Sequence, residues 1–353
     1  MIRENIQSLV EGVSLSCQES RTVMEEIMAG QATNAQIAAF LTALRMKGET
    51  VEELVSFAQV MREHCHLIHP NVQGRLLDTC GTGGDFIKTF NVSTAAAFVI
   101  AGAGVSIAKH GNRSVTSKSG SADVLEKLGL NLATQPEDVK KSIEQIGIGF
   151  MFAPAFHPAM KYAVTPRKEV GIRTIFNLLG PLTNPARASV QLLGVYDEKL
   201  TEPVAYALKS LGCQEALVVH GLDGLDEIST LGNTIVSTLK NGKVVTKEVH
   251  PEDFGIKHTS IKALEGGTPE ENAEVLFRIV SGCCLENDPK TEIVLVNSAA
   301  GLILGGKAHD FKSGVELARE SIRSGAAYKK LGGLVKFSGG CSAKLEELEQ
   351  KYA

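Results

Sequence analysis

The chain has 353 residues, more than one hydrophobic core usually spans, so its length predicts two domains or one large and one small. Hydrophobic residues at 43% and charged residues at 22% exclude a disordered or fibrous chain, and a formal net charge of -4 excludes a nucleic-acid binder driven by overall charge. Seven cysteines at irregular spacing form neither a CxxC pair nor a disulfide framework, which fits a reducing cytosol.

The N-terminal MIRENIQSLVEG carries charges where an export signal has its apolar stretch, so no export is expected. The first 65 or so residues have helical periodicity with repeated stops and no strand-like run. Segments 20–29, 34–47 and 50–64 predict helices: Asn34 can cap the second, Thr50 and Glu53 form a capping box for the third, and Gly30 and Gly48 end the first two. Their apolar positions, Ile37, Leu41, Leu44, Leu54 and Met61 among them, face a core or another subunit, with the core favoured.

After His64 the stretch CHLIHPNVQGR reads as a linker and LLDTC as a short buried strand, which opens a second domain. Strands and helices then alternate through VSIAK, helices starting near Ser121 and Pro136, IGFMF, a helix before Gly212, and EALVVHG. That alternation predicts an α/β architecture with a central, mostly parallel sheet. TIVSTLKNGKVVTKEV departs from it, because two β-rich runs flank Asn241-Gly242, the composition of a tight hairpin turn. The last 85 or so residues return to helices and carry a second glycine-rich stretch, LGGLVKFSGG. Within them Ile293 to Leu304 is the most apolar run; it is too short to span a bilayer, contains Asn297 and Ser298, and predicts a buried helix.

Four segments carry chemistry. DTCGTGGDFIKTFNVST, from Asp78 to Thr94, runs strand, glycine turn, polar loop, then a helix opening at Ser93 and Thr94. Gly81, Gly83 and Gly84 allow close backbone approach, and the helix start offers free N–H groups at a positive dipole end, which together describe an anion cradle. A plain β-to-α turn with a Ser/Thr cap has the same composition, and the pattern is neither a Walker motif nor GxGxxG. Between Asp85 and Asp123 no acidic residue occurs, while Lys88, Lys109, Arg113 and Lys118 do, which predicts a locally positive surface suited to several phosphates. The second segment, KHGNRSVTSKSGSAD, follows a strand, where open α/β sheets place their ligands. In the third, HGLDGLDEIS, the residues Asp223, Asp226 and Glu227 cluster hard oxygens as a magnesium site shared with phosphates requires, although Asp-Gly and Asp-Glu also serve turns. The fourth, from His157 to Pro185, offers Arg167 and Arg173 as two-pronged holders of a carboxylate, or as surface partners of Glu169 or another acid, and a bend at Gly180, Pro181, Asn184 and Pro185.

Together these segments resemble the anthranilate phosphoribosyltransferase family: GTGGD, NVST, KHGNRSVTSKSGSAD, GIRTIFNLLGPLTNP and DGLDEIS occur in the family's order and spacing over nearly the whole chain. The resemblance implies a small helical domain, residues 1–72 with a returning piece at about 167–186, on a large α/β domain, 73–353, of the nucleoside phosphorylase and phosphoribosyltransferase type. It implies transfer of the phosphoribosyl group from phosphoribosyl diphosphate to the amino group of anthranilate in tryptophan biosynthesis, two magnesium ions per active site, and a cytoplasmic homodimer joined through the helical domains. Neither nucleic acid nor membrane is an expected partner.

By the same resemblance Gly81, Gly84, Asp85, Thr89, Asn91, Val92, Ser93 and Thr94 hold the donor, and Ser93 also touches magnesium. Lys109, His110, Gly111, Asn112, Arg113, Ser114, Val115, Thr116 and Ser117 form a loop over it, followed by Ser121. Gly81, Asn112 and Arg167 contact anthranilate, Arg167 through the carboxylate, and His110 lines that pocket. Asp226 and Glu227 hold magnesium, while Asp223 is not carried over as a ligand. The arylamine is neutral at pH 7, so no catalytic base is nominated; His110 is a candidate for accepting the proton after attack and, more in keeping with its loop, for positioning. Closure about the bend near Gly180 would exclude water from the activated sugar. A pyrimidine nucleoside phosphorylase and a non-catalytic nucleic-acid-binding relative are the alternatives; the paired GTGGD and DGLDE motifs disfavour the first, and the negative charge with complete motifs disfavours the second.

Overall fold

The computed structural model describes residues 1–83, 87–114, 119–256, 260–284 and 287–352. Gly84, Asp85, Val115, Thr116, Ser117 and Lys118 lie outside the described residues. Four helices come first: α1 (Ile2–Val10), α2 (Cys17–Met28), α3 (Asn34–Lys47) and α4 (Val51–Glu63). Helix α2 starts three residues earlier than its apolar pattern suggested, because Ser16 and Glu19 form a reciprocal capping box. Thr33, not Asn34, caps α3: its hydroxyl accepts from the Gln36 amide while the Gln36 side chain accepts from the Thr33 amide, leaving Asn34 as the first helical residue. The box at Thr50 and Glu53 is formed as expected, and the Glu53 carboxylate also takes the Lys47 ammonium at 2.9 Å in a buried pair. Ile37, Leu41, Leu44, Leu54 and Met61 are all buried, so the apolar faces serve the core.

Strand β1 (Leu76–Gly81) is followed by α5 (Val92–Gly102), β2 (Ser106–Gly111), α6 (Ser121–Lys127), α7 (Pro136–Ile146) and β3 (Ile148–Phe152). Then come α8 (Ala153–Phe156), α9 (Lys161–Val170), α10 (Phe176–Leu182), β4 (Val190–Gly194), α11 (Thr201–Ser210) and β5 (Glu215–Gly221). The hairpin β6 (Thr234–Lys240) and β7 (Lys243–Val249) turns at Asn241 and Gly242, both at positive φ as that dipeptide allows. The chain ends with α12 (Ile261–Leu264), α13 (Pro269–Ser281), α14 (Pro289–Leu304), α15 (Phe311–Arg323), α16 (Ala326–Phe337) and α17 (Ala343–Tyr352). The stretch LGGLVKF sits inside α16.

Among the described residues seven strands form one sheet in the order β3-β2-β1-β4-β5-β6-β7. Strands β1 to β5 are parallel, and β6 and β7 add an antiparallel edge. From β1 the chain steps outward to β2 and β3, then returns to lay β4 on the other side of β1. That reversal makes β1/β4 the switch point, where a doubly wound sheet opens a crevice beyond its strand ends. Sequence reading had not picked out β4, whose fully buried VQLLG run joins the two halves of the sheet.

One core cluster packs α5 and α13 to α17 on the sheet, with α14 buried along nearly its whole length. A second joins the four N-terminal helices, Ala163 of α9, α10 and α11 to the inner face of β4 and β5. Helix α9 thus packs on α3 and α2, and α10 on α4, which brings the piece around 163–182 back to the N-terminal helices. The 66–72 linker is pinned as it crosses, since the His66 amide donates to Phe156 and the Ile68 amide to Pro185.

Candidate functional site

A cleft of about 490 Å³ lies beyond the β1 and β4 ends. Its floor demands glycine. Gly81 and Gly194 are directly paired in the sheet, and a Cβ on either would run into Asp226, on the oxygen of its side chain for Gly81 and of its backbone for Gly194. The absence of two side chains is what admits a carboxylate from the β5 exit to the centre of the crevice. There Asp226 Oδ2 accepts the Gly83 N–H at 2.8 Å, and Glu227 Oε1 accepts the Ser93 N–H, in the first turn of α5, at 3.1 Å.

The anion cradle is therefore present, with its amides facing carboxylates. This changes the expectation of a locally positive surface, because acids distant in sequence enter the space. Arg113 is drawn outward by Asp123 and Glu126, which it meets at 3.0 and 2.8 Å and which raise its pKa. Lys109 is buried beneath the cradle, donating to the Thr79 carbonyl at 2.5 Å and the Ser93 hydroxyl at 3.4 Å; burial lowers its pKa while Asp78 opposes the shift. Thr94 Oγ1 is buried and has no hydrogen-bond partner among the described residues, a donor held ready at the helix start. Asn91, the residue preceding α5, donates to the Ser119 carbonyl at 3.3 Å and accepts from the Asn272 amide at 3.4 Å, a contact no motif had signalled.

Of the residues named from sequence, Gly81, Thr89, Asn91, Val92, Ser93, Thr94, Lys109, His110, Gly111, Asn112, Arg113, Ser114, Ser121, Arg167, Asp226 and Glu227 all line this one cleft. Gly84, Asp85, Val115, Thr116 and Ser117 lie outside the described residues. Arg173 does not line it; its guanidinium lies over the Tyr196 ring, 4.6 Å from the centroid. Asp223 also stays out, accepting from the Ser229 hydroxyl and from the Leu225 amide, so it shapes the turn that delivers Asp226.

The other end of the cleft is less polar. Arg167 reaches it from α9 with its guanidinium over Phe176, 5.1 Å from the ring centroid, and burial lowers its pKa. A half-buried, stacked guanidinium suits a planar carboxylate. His110 and His157 stand beside it, their rings 5.1 Å apart. His110 Nδ1 lies 3.2 Å from the Gly180 carbonyl, which can only accept, so the proton sits on Nδ1 and Nε2 is left as an acceptor. Both Nε2 atoms are buried without a partner. Burial and the neighbouring His157 push His110 down to about 3, and burial pushes His157 down to about 4. Neutral and weakly basic at pH 7, His110 orients a donor well and takes up a proton poorly. His157 was passed over in sequence because a single histidine before a proline carries no pattern; only β3 and α8 bring it to His110.

Comparison with known proteins gives one answer. The profile described as the helical bundle domain of a glycosyl transferase family matches residues 3–65, and that of the a/b domain of a glycosyl transferase family matches 73–328. The chain is 53% identical over 338 residues to the anthranilate phosphoribosyltransferase of Acetivibrio thermocellus, covering 96% of this chain and 97% of that one. The crystal structure of anthranilate phosphoribosyltransferase from Thermus thermophilus superposes with a TM-score of 0.88 at 42% identity, covering 95% and 99% of the two chains. The Saccharomyces cerevisiae enzyme in complex with PRPP and Mg gives 0.88 at 30% identity, and in complex with 4-fluoroanthranilate 0.87 at 29%, each covering 96% of this chain and 98% of the other.

Proposed function

This chain belongs to the anthranilate phosphoribosyltransferase family, and from that premise we propose that it transfers the phosphoribosyl group of 5-phosphoribosyl 1-diphosphate to the amino group of anthranilate, giving N-(5-phosphoribosyl)anthranilate and diphosphate. The reaction belongs to tryptophan biosynthesis. One observation carries the reading: a single cleft joins an amide-lined cradle with two carboxylates to an end that offers a half-buried guanidinium and two bare imidazole nitrogens.

The residues fit magnesium. Among the described residues no three His, Cys, Asp or Glu side chains cluster as a metal cage, whereas Asp226, Glu227 and Ser93 Oγ together supply a partial oxygen set of the kind magnesium completes with water and phosphate. Bound there, magnesium would neutralise charge developing on the diphosphate leaving group, and we propose two ions. The chain's own part is to release amides to the anion. Once the two carboxylates turn to cations, the Gly83 and Ser93 N–H groups and the Thr94 hydroxyl are free to donate to phosphate oxygens. At the far end Arg167 holds the carboxylate of anthranilate, while His110 Nε2 accepts from the amine and aims its lone pair; positioning, not a base, supplies this share of the rate.

The same proposal divides the chain at 72/73, with 167–186 returning to the helical domain; the break between the matched profiles and the packing of α9 and α10 support it. A homodimer through the helical domain is supported by Val10, Val13 and Met46, exposed at that end, Met46 by 84%. Seven free thiols support a cytoplasmic setting. No described helix is long and apolar enough to cross a membrane.

Mixing the protein with anthranilate, phosphoribosyl diphosphate and magnesium should quench anthranilate fluorescence as product forms. Unchanged fluorescence over hours at micromolar enzyme rejects the reading, and turnover of uridine with phosphate in its place would favour a phosphorylase.

A further inference from the structure

Asn297 is the anomaly of the most apolar helix. It sits at the middle of α14 with no exposed surface, flanked by valine, serine and alanine, where an uncompensated amide is costly. Its amide is fully used. Oδ1 accepts the Ile228 N–H at 3.0 Å, while Nδ2 donates to the Ile228 carbonyl at 3.0 Å and to the Ile293 carbonyl, one turn back in the same helix, at 2.9 Å. An N–H can only donate and a carbonyl can only accept, so these contacts also fix which side of the amide is oxygen. An aspartate would set a carboxylate against two carbonyl oxygens, and a leucine of the same size would leave both polar groups of Ile228 unmatched.

Ile228 is the residue after Glu227. The backbone from Leu222 to Thr230 leaves β5 as a turn, so no strand ladder holds Ile228 in place. The two-point contact replaces that ladder: it fastens the peptide beside Glu227 to a helix that packs on α5, β1, β4 and β5. Glu227 in turn reaches the first turn of α5 through Ser93. Carboxylate, cradle and core helix therefore form one connected set.

We propose that Asn297 is a positioning residue for the cation carboxylates, acting through the Ile228 backbone to set where Glu227 and Asp226 stand. It touches no substrate. The inference rests on the functional reading above in taking those carboxylates as cation ligands, yet its test does not need turnover.

Manganese binding in the presence of phosphoribosyl diphosphate can be followed by electron paramagnetic resonance without anthranilate. Asn297→Leu should weaken manganese affinity roughly 5- to 50-fold, the scale of losing two buried hydrogen bonds, with anthranilate KM within about twofold of wild type. In a cycle with Glu227→Gln the two changes should be non-additive, because Asn297 works through that segment. Lowered melting temperature with unchanged manganese affinity, or full additivity, would show a packing role and overturn the proposal. Asn297→Ser offers the same test if the leucine variant does not fold. Amide exchange at Ile228 in the wild type needs no variant: protection close to that of the α14 core is expected, and loop-like exchange overturns the idea. Wild type that binds manganese but consumes no anthranilate sinks the functional reading, and the affinity ratio still decides this one. Wild type that binds no manganese with the donor overturns both.

Discussion

The two ends of the cleft are built in opposite ways. The donor end is largely contiguous: β1, its glycine turn and the first turn of α5 lie within Leu76 to Thr94, while Lys109 and the Asp226-Glu227 turn join from farther along the chain. Its chemistry is that of backbone amides and carboxylates resting on the sheet. The acceptor end is assembled from side chains on β2, the β3–α8 junction, α9 and α10, and α9 leans on the N-terminal helices instead of the sheet. An anion bound by backbone needs a local turn, whereas a small aromatic acid held by one arginine and two imidazoles needs several segments to converge. Variants should therefore separate cleanly into those that harm one substrate and those that harm the other.

The largest separation is expected from Glu227→Gln. Removing the charge strips the cradle's partner and a proposed cation ligand together, and kcat/KM at fixed magnesium should fall about 10²- to 10³-fold, the usual cost of losing one preorganised charge-stabilising group. Raising magnesium should recover part of it. A loss below threefold with an unchanged magnesium requirement breaks the assignment of the donor end.

Arg167→Ala probes the opposite end. Losing the half-buried guanidinium proposed to hold the carboxylate should raise anthranilate KM about 100-fold, against less than about threefold for the donor. Steady-state kinetics in both substrates decides it, and equal weakening would merge the two ends that the geometry keeps apart.

These ends also differ in how far the sequence disclosed them. The glycine turn, the loop from Lys109 and the acidic turn could be read from residue chemistry, because each needs a local composition that few other structures need. Arg167 could be proposed as a carboxylate holder, but residue types alone left it level with Arg173; placement separates them, since one guanidinium enters the cleft over Phe176 and the other covers Tyr196. His157, the Asn272–Asn91 contact and β4 stayed hidden, as each gains meaning only from a partner more than 40 residues away. The acid-free stretch hid two acids for the same reason: Asp226 and Glu227 fold into its space from afar. Among the N-terminal helices, apolar period found the bodies of α2, α3 and α4 but not α1; the start of α2 was missed because Ser16 caps it before the pattern begins, while α3 starts where the pattern does, with Thr33 as its cap.

Acid should expose the acceptor end's composition. His110 and His157 are held at about 3 and about 4, against 6.5 in the unfolded chain. As pH falls below about 6.5 the unfolded state takes up these protons first, so stability is complete above that value and is lost towards pH 3. Asp78, pushed up by burial to about 6 from 3.8, acts in the opposite sense and returns part of the loss between those two values. The melting temperature should drop from pH 7 to pH 4.5, and His157→Gln should flatten the slope. An unaltered slope in that variant would remove His157 from the account.

The smallest effect tests the support beneath each end. Thr33→Ala removes the cap of α3, worth about 1 kcal/mol, and in a chain of this size should lower the melting temperature by roughly 1–2 °C. Asn34→Ala, one residue on and not the cap, should change it by less than about 1 °C. Because α9 packs on α3, the cap loss should also raise anthranilate KM, by less than about twofold, while donor KM stays fixed, since the cradle rests on the sheet. A shift in donor KM as large as that for anthranilate would mean that the helical end supports both sites equally, and the contrast between a sheet-borne donor end and a helix-borne acceptor end would not hold.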